Sequence, residues 1–342
     1  MSLLLFLAGE HMAQDTLRGR FVWHELMTTD TSAAATFYKK VVGWKTQSWP
    51  QDKSYTLFVA GKMPVAGLMT LPGEAKAMGA PPSWISYIGT ADVDGRSARL
   101  EKLGGKILRA AWNIPTVGRV AIVQDAQGAV FGLYTPEQAG PADARPSLGE
   151  FSWHELATTD PAAGLAFYQD LFGWEKTSSM DMGPEMGSYD MFGLNGVPMG
   201  GVFRRPPNVP SHWLPYAMVP DSKKAGKTIG ALGATIVNGP MEVPGGDWIV
   251  AGIDRQGAAF AVHSLKPARP STGARKAASK SPASRARAAA SKKRTAKKVA
   301  KKAPPRKARR PVRKTRAAQR AKPSRTTSSS RRRGTPKRKA RR

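Results

Sequence analysis

The chain has 342 residues and a formal net charge of +30, but the charge is concentrated at one end. Residues 267–342 hold 31 of the 54 lysines and arginines and no aspartate or glutamate, which leaves 23 basic and 24 acidic side chains in residues 1–266. All 27 aromatic residues also precede position 267. The chain therefore joins a near-neutral body, long enough for about two domains, to a polycationic tail. Because it contains no cysteine, disulfide scaffolds, thiolate zinc sites and cysteine nucleophiles are excluded.

The N-terminal extension, residues 1–19, contains a short apolar run at Leu3–Ala8. No basic region precedes the run and no small-residue cleavage site follows it, so we expect no signal peptide. No stretch of the chain approaches the roughly 20 apolar residues that span a bilayer, and we expect a cytoplasmic protein without a membrane span. Met1 and Met12 both stay open as the start of the chain.

The body contains the same unit twice. Residues Phe21–Asp30 read FVWHELMTTD, and residues Phe151–Asp160 read FSWHELATTD. The match continues at an offset of 130 and then 129 residues, with Phe-Tyr and Gly-Trp pairs at the same distances in both copies. A repeat of this kind predicts tandem domains. We assign residues 20–136 to the first domain, residues 137–147 to a linker, and residues 148–266 to the second domain.

Each copy shows the pattern of a strand, a helix and three strands, and then the same series again. In the first series a β-rich run ends at Asp30, a good N-cap residue. The apolar residues that follow recur at helical spacing: Ala34, Phe37, Tyr38 and Val41. The body is therefore of the α+β class and consists of four βαβββ modules. Sheets with so few strands need to pair module with module, which leaves a curved cleft between the sheets.

These features resemble the vicinal-oxygen-chelate superfamily, which includes glyoxalase I, ring-cleaving dioxygenases and bleomycin-resistance proteins. The resemblance rests on the strings that run from Asp30 to Trp44 and from Asp160 to Trp174, and on LEKLGG at residues 100–105. The turns DAQG (125–128) and DRQG (254–257) also look like that family's last turn. The resemblance covers about residues 20–265 and is closest to two-domain, glyoxalase-like bacterial proteins. It implies a small-molecule site in the clefts.

The resemblance also implies a divalent metal, held by His, Gln and Glu side chains, that acts as a Lewis acid. Its ligands would lie on the opening strand, which is the first strand of each module, seven residues before the capping aspartate. They would also lie on the closing strand, which is the last strand of each copy, four residues after the turn glycine. The six positions so defined carry Trp23, Ile85, Gly132, Trp153, Leu214 and Ala261. None of these side chains coordinates a metal. We therefore expect no standard metal site, and the cofactor is left undefined.

His24 and His154 each precede a glutamate, but neighbouring residues of a strand face opposite sides of a sheet. If Trp23 and Glu25 face the cleft, His24 points away from it, towards a helix or a partner module, and serves packing. A register shifted by one residue would instead make the two histidines ligand candidates. A further alternative, confined to the second copy, is a displaced iron or manganese site formed by Glu155, His212 and His263.

Glu25 and Glu155 are the candidate catalytic residues. By alternation each shares the cleft face with a tryptophan, and a tyrosine occupies the equivalent position in the partner module. A desolvated carboxylate in such an aromatic cleft has a raised pKa and can act as a general base or a hydrogen-bond anchor. The alternative is that glutamate and tyrosine pair only with each other and hold the modules together. The candidate substrate-binding residues are Trp23, Tyr87, Trp153 and Tyr216.

The tail, residues 267–342, combines its 31 cationic residues with 17 alanines and no aromatic residue. Such a segment buries too little surface to offset its ordering entropy, so we expect it to be disordered. Its composition resembles the tails of histone H1 and of bacterial histone-like proteins. Cations on a flexible chain bind phosphate backbones through counterion release, which predicts non-specific nucleic-acid binding and an association with the bacterial nucleoid. Anionic membranes and polyphosphate are the alternative partners.

Three functional hypotheses follow. The first is a glyoxalase-like protein, a lyase or dioxygenase type if it is an enzyme, that handles a small carbonyl or electrophilic or aromatic compound and is tethered to nucleic acid by its tail. The second is a metal-free module that binds and sequesters a small molecule, as resistance-type relatives do. The third is a nucleoid-associated scaffold without catalysis. Because one chain holds four modules, it can build both clefts as a monomer.

Overall fold

Each copy of the repeat folds into one mixed, eight-stranded β-sheet. The computed structural model describes residues 17–138 and 145–266, so most of the N-terminal extension, the middle of the linker and the whole tail lie outside the described residues. The first sheet contains β1 (Phe21–Thr28), β2 (Lys45–Ser48), β3 (Thr56–Ala60), β4 (Met63–Thr70), β5 (Ser83–Gly89), β6 (Lys106–Ile114), β7 (Gly118–Gln124) and β8 (Val130–Pro136). The second contains β9 (Phe151–Thr158), β10 (Glu175–Asp181), β11 (Ser188–Leu194), β12 (Val197–Arg204), β13 (His212–Met218), β14 (Thr235–Glu242), β15 (Trp248–Ile253) and β16 (Ala259–Ser264).

The helices in the described residues are α1 (Thr31–Val41), α2 (Gly73–Ala77), α3 (Val93–Lys102), α4 (Pro161–Phe172) and α5 (Ser222–Ala231). All except α2 follow an opening strand and begin after an aspartate whose carboxylate accepts a hydrogen bond from a backbone N–H three residues further on. The four predicted βαβββ modules are therefore confirmed, and α2 is a short addition between the first two. Within residues 17–138 and 145–266, no helix is long and apolar enough to cross a membrane.

The two modules of a copy join edge to edge. The strand order of the first sheet is β2-β3-β4-β1-β5-β8-β7-β6, and the second repeats it as β10-β11-β12-β9-β13-β16-β15-β14. The opening strands β1 and β5 pair in antiparallel fashion, as do β9 and β13. The predicted pairing of modules is thus confirmed, but the expected gap between separate sheets is wrong, because the ladder between opening strands makes one continuous sheet. The candidate site lies on one face of that sheet.

The opposite faces of the two sheets, with their helices, form a core that both copies share. One buried cluster joins Phe37, Tyr38 and Trp44 of the first copy to Val250 and Phe260 of the second. A second cluster joins the first copy's Phe131 and Leu133 to the second copy's Tyr168 and Trp174. Since each cluster draws on both copies, removing one copy would expose the apolar face of the other. The body is expected to unfold as one unit.

Reciprocal hydrogen bonds link the copies across this core. Tyr38 Oη donates to Asp254 Oδ2 at 3.0 Å, and Tyr168 Oη donates to Asp125 Oδ2 at 3.0 Å. Both aspartates belong to the turns that resemble the family's last turn. The repeated motifs therefore serve, in part, to fasten one copy to the other.

The two repeated histidines also meet at the contact between the copies. His24 Nε2 lies 2.8 Å from His154 Nε2. The His24 ring stacks on Phe151, and the His154 ring stacks on Phe21 with centroids 3.6 Å apart. The packing role predicted for His24, on the side away from the cleft and against a partner module, is confirmed. The alternative register, which would turn these histidines into metal ligands, is wrong.

Burial makes this histidine pair sensitive to acid. Desolvation lowers the pKa of His154 to about 3. Desolvation, and to a smaller extent the electrostatic effect of the nearby His154, lowers the pKa of His24 well below 6.5. Below pH 6.5 the unfolded chain therefore binds protons that the folded chain does not, and the free energy of unfolding falls as the pH falls. Two such histidines remove about 2 kcal/mol between pH 6.5 and pH 5.5.

We expect the double variant His24→Gln, His154→Gln to lose this component of the pH dependence. Glu25 and Glu155 titrate in the opposite sense in wild type and variant alike, so the difference between the two chains isolates the histidines. Urea unfolding at pH 7.5, 6.5 and 5.5 measures it. Parallel curves of unfolding free energy against pH for the two chains would contradict the assignment.

Candidate functional site

The opening strand of each copy presents a tryptophan and a glutamate on the face away from the shared core. We call these surfaces the first cleft face, defined by Trp23, Glu25 and Tyr87, and the second cleft face, defined by Trp153, Glu155 and Tyr216. Trp23 lies opposite Tyr87 in the β1–β5 ladder, and Trp153 lies opposite Tyr216 in the β9–β13 ladder. The predicted alternation therefore brings all six candidate site residues to the predicted faces.

On the first cleft face, both oxygens of the Glu25 carboxylate are engaged. Tyr55 Oη donates to Oε1 at 2.6 Å, and Tyr87 Oη donates to Oε2 at 3.0 Å. Trp23 Nε1 donates to the Tyr55 hydroxyl at 3.3 Å. These residues form a continuous hydrogen-bonded cluster that joins β1 to β5 on one side and to the residue before β3 on the other.

The second cleft face repeats the cluster. Tyr189 Oη donates to Glu155 Oε1 at 2.8 Å, Tyr216 Oη donates to Oε2 at 2.5 Å, and Trp153 Nε1 donates to the Tyr189 hydroxyl at 2.8 Å. We call each group, Trp23-Glu25-Tyr55-Tyr87 or Trp153-Glu155-Tyr189-Tyr216, a carboxylate–tyrosine cluster.

Tyr55 and Tyr189 were not predicted as site residues. Tyr55 immediately precedes β3, the third strand of its module, and Tyr189 lies near the start of the corresponding strand β11, both far from the opening strand in sequence. The signal that could have found them is the shared pattern Tyr-x-x-Phe, at residues 55–58 and 189–192. Glycines make room for them: Gly67 and Gly201 lie directly opposite the two glutamates, and any side chain there would collide with Tyr55 or Tyr189.

The clusters shift the pKa values of their members. Desolvation raises the pKa of Glu25 and of Glu155, although the tyrosine hydrogen bonds, which favour the charged carboxylate, oppose the change. Desolvation and the adjacent carboxylates raise the pKa of Tyr55, Tyr87 and their counterparts in the second copy. The tyrosines therefore stay protonated donors, and the glutamates are the groups in each cluster that can exchange a proton.

The residues present do not fit the family's metal. Ile85 lies opposite Glu25 and Leu214 lies opposite Glu155, so the second-module ligand positions are apolar. At the closing strand, Gly132 lies opposite Tyr87, whose ring occupies the space that a side chain at 132 would need. In the second copy Ala261 lies opposite Tyr216. The carboxylate–tyrosine cluster thus occupies the region where the family's ligands would converge.

The displaced metal site considered for the second copy is wrong. His212 lies opposite Ala157 at one end of β13, whereas His263 lies opposite Met218 at the other end. His212 Nδ1 lies 2.9 Å from Pro210 O, and His263 lies between Ser152 Oγ and Asp247 Oδ2. In the part of the chain that the structure describes, no group of three His, Asp or Glu side chains is placed to hold a metal ion.

The two cleft faces differ beyond their clusters. The first carries further aromatic residues, Trp112 and Tyr134, which pack near Trp23 and Tyr87. Desolvation raises the pKa of Tyr134 to about 12. In the second, the apolar residues around Trp153 and Tyr216 include Met241 and Val243 instead. The first cleft face is therefore the richer in aromatic surface.

Comparison with known proteins identifies the family. Residues 20–61 match the family described as bleomycin resistance protein-like N-terminal. CFP32 of Mycobacterium tuberculosis, named as a glyoxylase, is 32% identical over 257 residues, which cover 72% of this chain and 94% of CFP32. The anthracycline biosynthesis protein DauV of a Streptomyces species is 26% identical over 267 residues, which cover 74% of this chain and 95% of DauV.

Solved structures share the fold. A homoprotocatechuate 2,3-dioxygenase from B. fuscum superposes with a TM-score of 0.53 at 17% identity, covering 74% of each chain. A Mn(II)-bound glyoxalase from Novosphingobium aromaticivorans superposes with a TM-score of 0.50 at 16% identity, covering 73% of this chain and 84% of its own. At such identities the likeness concerns the fold alone. From the relation to CFP32 and from this fold, the chain belongs to the vicinal-oxygen-chelate superfamily.

Proposed function

We propose that the body binds a small planar carbonyl or aromatic compound without a metal, chiefly at the first cleft face. The observation that carries the proposal is the carboxylate–tyrosine cluster, which takes the region of the family's metal in both copies. Aromatic rings supply apolar contact area for a planar ligand, while the hydroxyl groups of the cluster tyrosines keep donating to the glutamate oxygens. Of the three hypotheses, metal-free binding fits these residues best.

Glu25 and Glu155 are proposed as the groups that accept a hydrogen bond or a proton from the ligand. Each already accepts one tyrosine hydroxyl at each carboxylate oxygen, and a carboxylate oxygen has capacity for a second donor. The raised pKa of both glutamates suits proton exchange closer to neutral pH than an ordinary carboxylate allows. The names of the Streptomyces relatives support the ligand class, since anthracyclines are planar aromatic ketones.

Coumarin, a neutral planar carbonyl compound, is a suitable probe. We expect saturable binding to the full-length protein by isothermal titration calorimetry, with the same affinity in the presence of EDTA. Trp112→Met, which introduces the kind of side chain found at Met241 on the second cleft face, should weaken binding about tenfold through lost ring contact.

Trp248→Met is the matched control, because Trp248 is not among the residues packed on either cleft face and its ring lies instead beneath Lys223, whose Nζ is 3.3 Å from the ring centre. This variant should bind coumarin as wild type does. Two results would count against the proposal: loss of binding in EDTA, or equal binding by wild type and the Trp112 variant.

The tail is proposed to hold this body against nucleic acid, as a site separate from the cleft faces. The support is the distribution of charge: 31 cations and no acid in residues 267–342, beside a body whose ionisable residues nearly cancel. A polycation of this kind binds phosphate backbones without reading bases.

A further inference from the structure

The two cleft faces differ at one edge strand of each sheet, β6 in the first sheet and β14 in the second. In β6, Arg109 lies opposite Ile122 and Trp112 lies opposite Val120, with the register shifting between the two pairs. In β14, Asn238 lies opposite Ala251 and Met241 lies opposite Ile249, again with a shift between them. The same irregularity recurs at an offset of 129 residues. Arg109 therefore corresponds to Asn238, and Trp112 corresponds to Met241.

Arg109 is exposed, and no side chain among the described residues uses its hydrogen-bonding capacity. Its guanidinium carbon lies 3.8 Å from the centre of the Trp112 ring, a cation–π arrangement. Among residues 17–138 and 145–266 its guanidinium forms neither a hydrogen bond nor a salt bridge. A guanidinium carries five N–H donors in a fixed planar fork that matches an anionic oxygen pair. Trp112 thus positions the Arg109 guanidinium on the first cleft face, where its N–H groups are available to a ligand.

Arg109 is not required to support the buried carboxylate. It is close enough to Glu25 and Tyr87 to lower the pKa of both, but desolvation outweighs it at Glu25. Both Glu25 oxygens already accept tyrosine hydroxyls. Glu155 is held in the same way by two tyrosines, and no cation of the described residues contributes to its pKa. The second copy thus keeps the cluster with Asn238 where the first has arginine.

We propose that the first cleft face binds a planar ligand that carries an anionic oxygen, with Arg109 as the residue that selects the charge. The ligand's ring packs near Trp112 and Trp23, and its anionic group pairs with the guanidinium at the exposed side of the face. The second cleft face, with Asn238 and Met241, does not share this preference. The inference rests on the proposed function, because it names the class of ligand for the same surface.

Coumarin-3-carboxylate and coumarin-3-carboxamide test the inference, because they share a ring system and differ in charge. We expect the full-length wild-type protein to bind the carboxylate at least about tenfold more tightly than the amide, as for other hydrogen bonds to charged groups. Arg109→Asn, which introduces the residue of the second copy, should bring the ratio close to one. Arg109→Lys should keep part of it, since a lysine retains the charge but not the fork. Isothermal titration calorimetry at constant ionic strength measures the ratio.

The cationic tail attracts any anion, but it is identical in all three chains, so the change in the ratio isolates position 109. A ratio that is unchanged in Arg109→Asn overturns the inference. Equal binding of both probes to wild type, weakened for both by Trp112→Met, also overturns it and leaves the proposed function standing. If neither probe nor coumarin binds wild type, the inference and the proposed function both fail.

Discussion

Replacing Asp254 by alanine is expected to lower the free energy of unfolding by about 3–5 kcal/mol, because several buried donors lose their acceptor at once. Asp254 Oδ1 accepts the backbone N–H groups of Gln256 and Ala258, and Oδ2 accepts the Tyr38 hydroxyl from the other copy. The side chain is 4% exposed, so water cannot readily replace it. The variant loses the two hydrogen bonds that stabilise the turn at residues 254–258 and one hydrogen bond between the copies.

Asp30→Ala is the matched control for this variant. Its carboxylate also accepts a backbone N–H, that of Ala33, but it is exposed at the start of α1. An N-cap of this kind contributes about 1 kcal/mol. Urea unfolding followed by circular dichroism and tryptophan fluorescence measures both variants, and the two probes should report one transition. A cost for Asp254→Ala no greater than that for Asp30→Ala, or separate transitions for the copies, would contradict the shared core.

Removing the tail is expected to abolish binding to DNA. The full-length protein should bind a duplex at 50 mM salt and lose roughly 10³-fold or more in affinity by 200 mM, since about six to ten phosphate contacts release their counterions. A chain ending at Lys266 has a near-neutral body and should show no binding under the same conditions. Fluorescence anisotropy with a labelled duplex measures both chains.

One control and two contradicting outcomes complete this test. A duplex of unrelated sequence should bind equally well, because phosphate contacts carry no base information. Equal binding by the chain that ends at Lys266 would show instead that the folded body makes the contact. An affinity that does not change with salt would contradict the electrostatic explanation.

Local signals predicted much of the fold. The capping aspartates and the helical spacing after them located the modules, and the structure confirms each of the corresponding helices. The alternation of Trp23, His24 and Glu25 along one strand correctly separated the cleft face from the contact between copies. These features depend on residues close together in sequence, where backbone periodicity decides which side chains share a face.

Contacts that depend on distant strands were beyond such reasoning. Tyr55 reaches Glu25 only because β3, β4 and β1 are neighbours in the sheet and Gly67 leaves space between them. Arg109 and Trp112 are three residues apart, and strict alternation would put them on opposite faces. The register shift between them brings the guanidinium over the ring. The bond from Tyr38 to Asp254 spans 216 residues and follows from the packing of one copy on the other.

The central claim is that a carboxylate–tyrosine cluster has replaced the family's metal in both copies. The most direct measurement is the metal content of the full-length protein, by inductively coupled plasma mass spectrometry, after expression with manganese, iron, nickel and zinc and dialysis without chelator. If the claim is correct, wild type, Glu25→Gln and Glu155→Gln all contain far less than stoichiometric metal. Stoichiometric metal in wild type that is lost from either glutamate variant would contradict it.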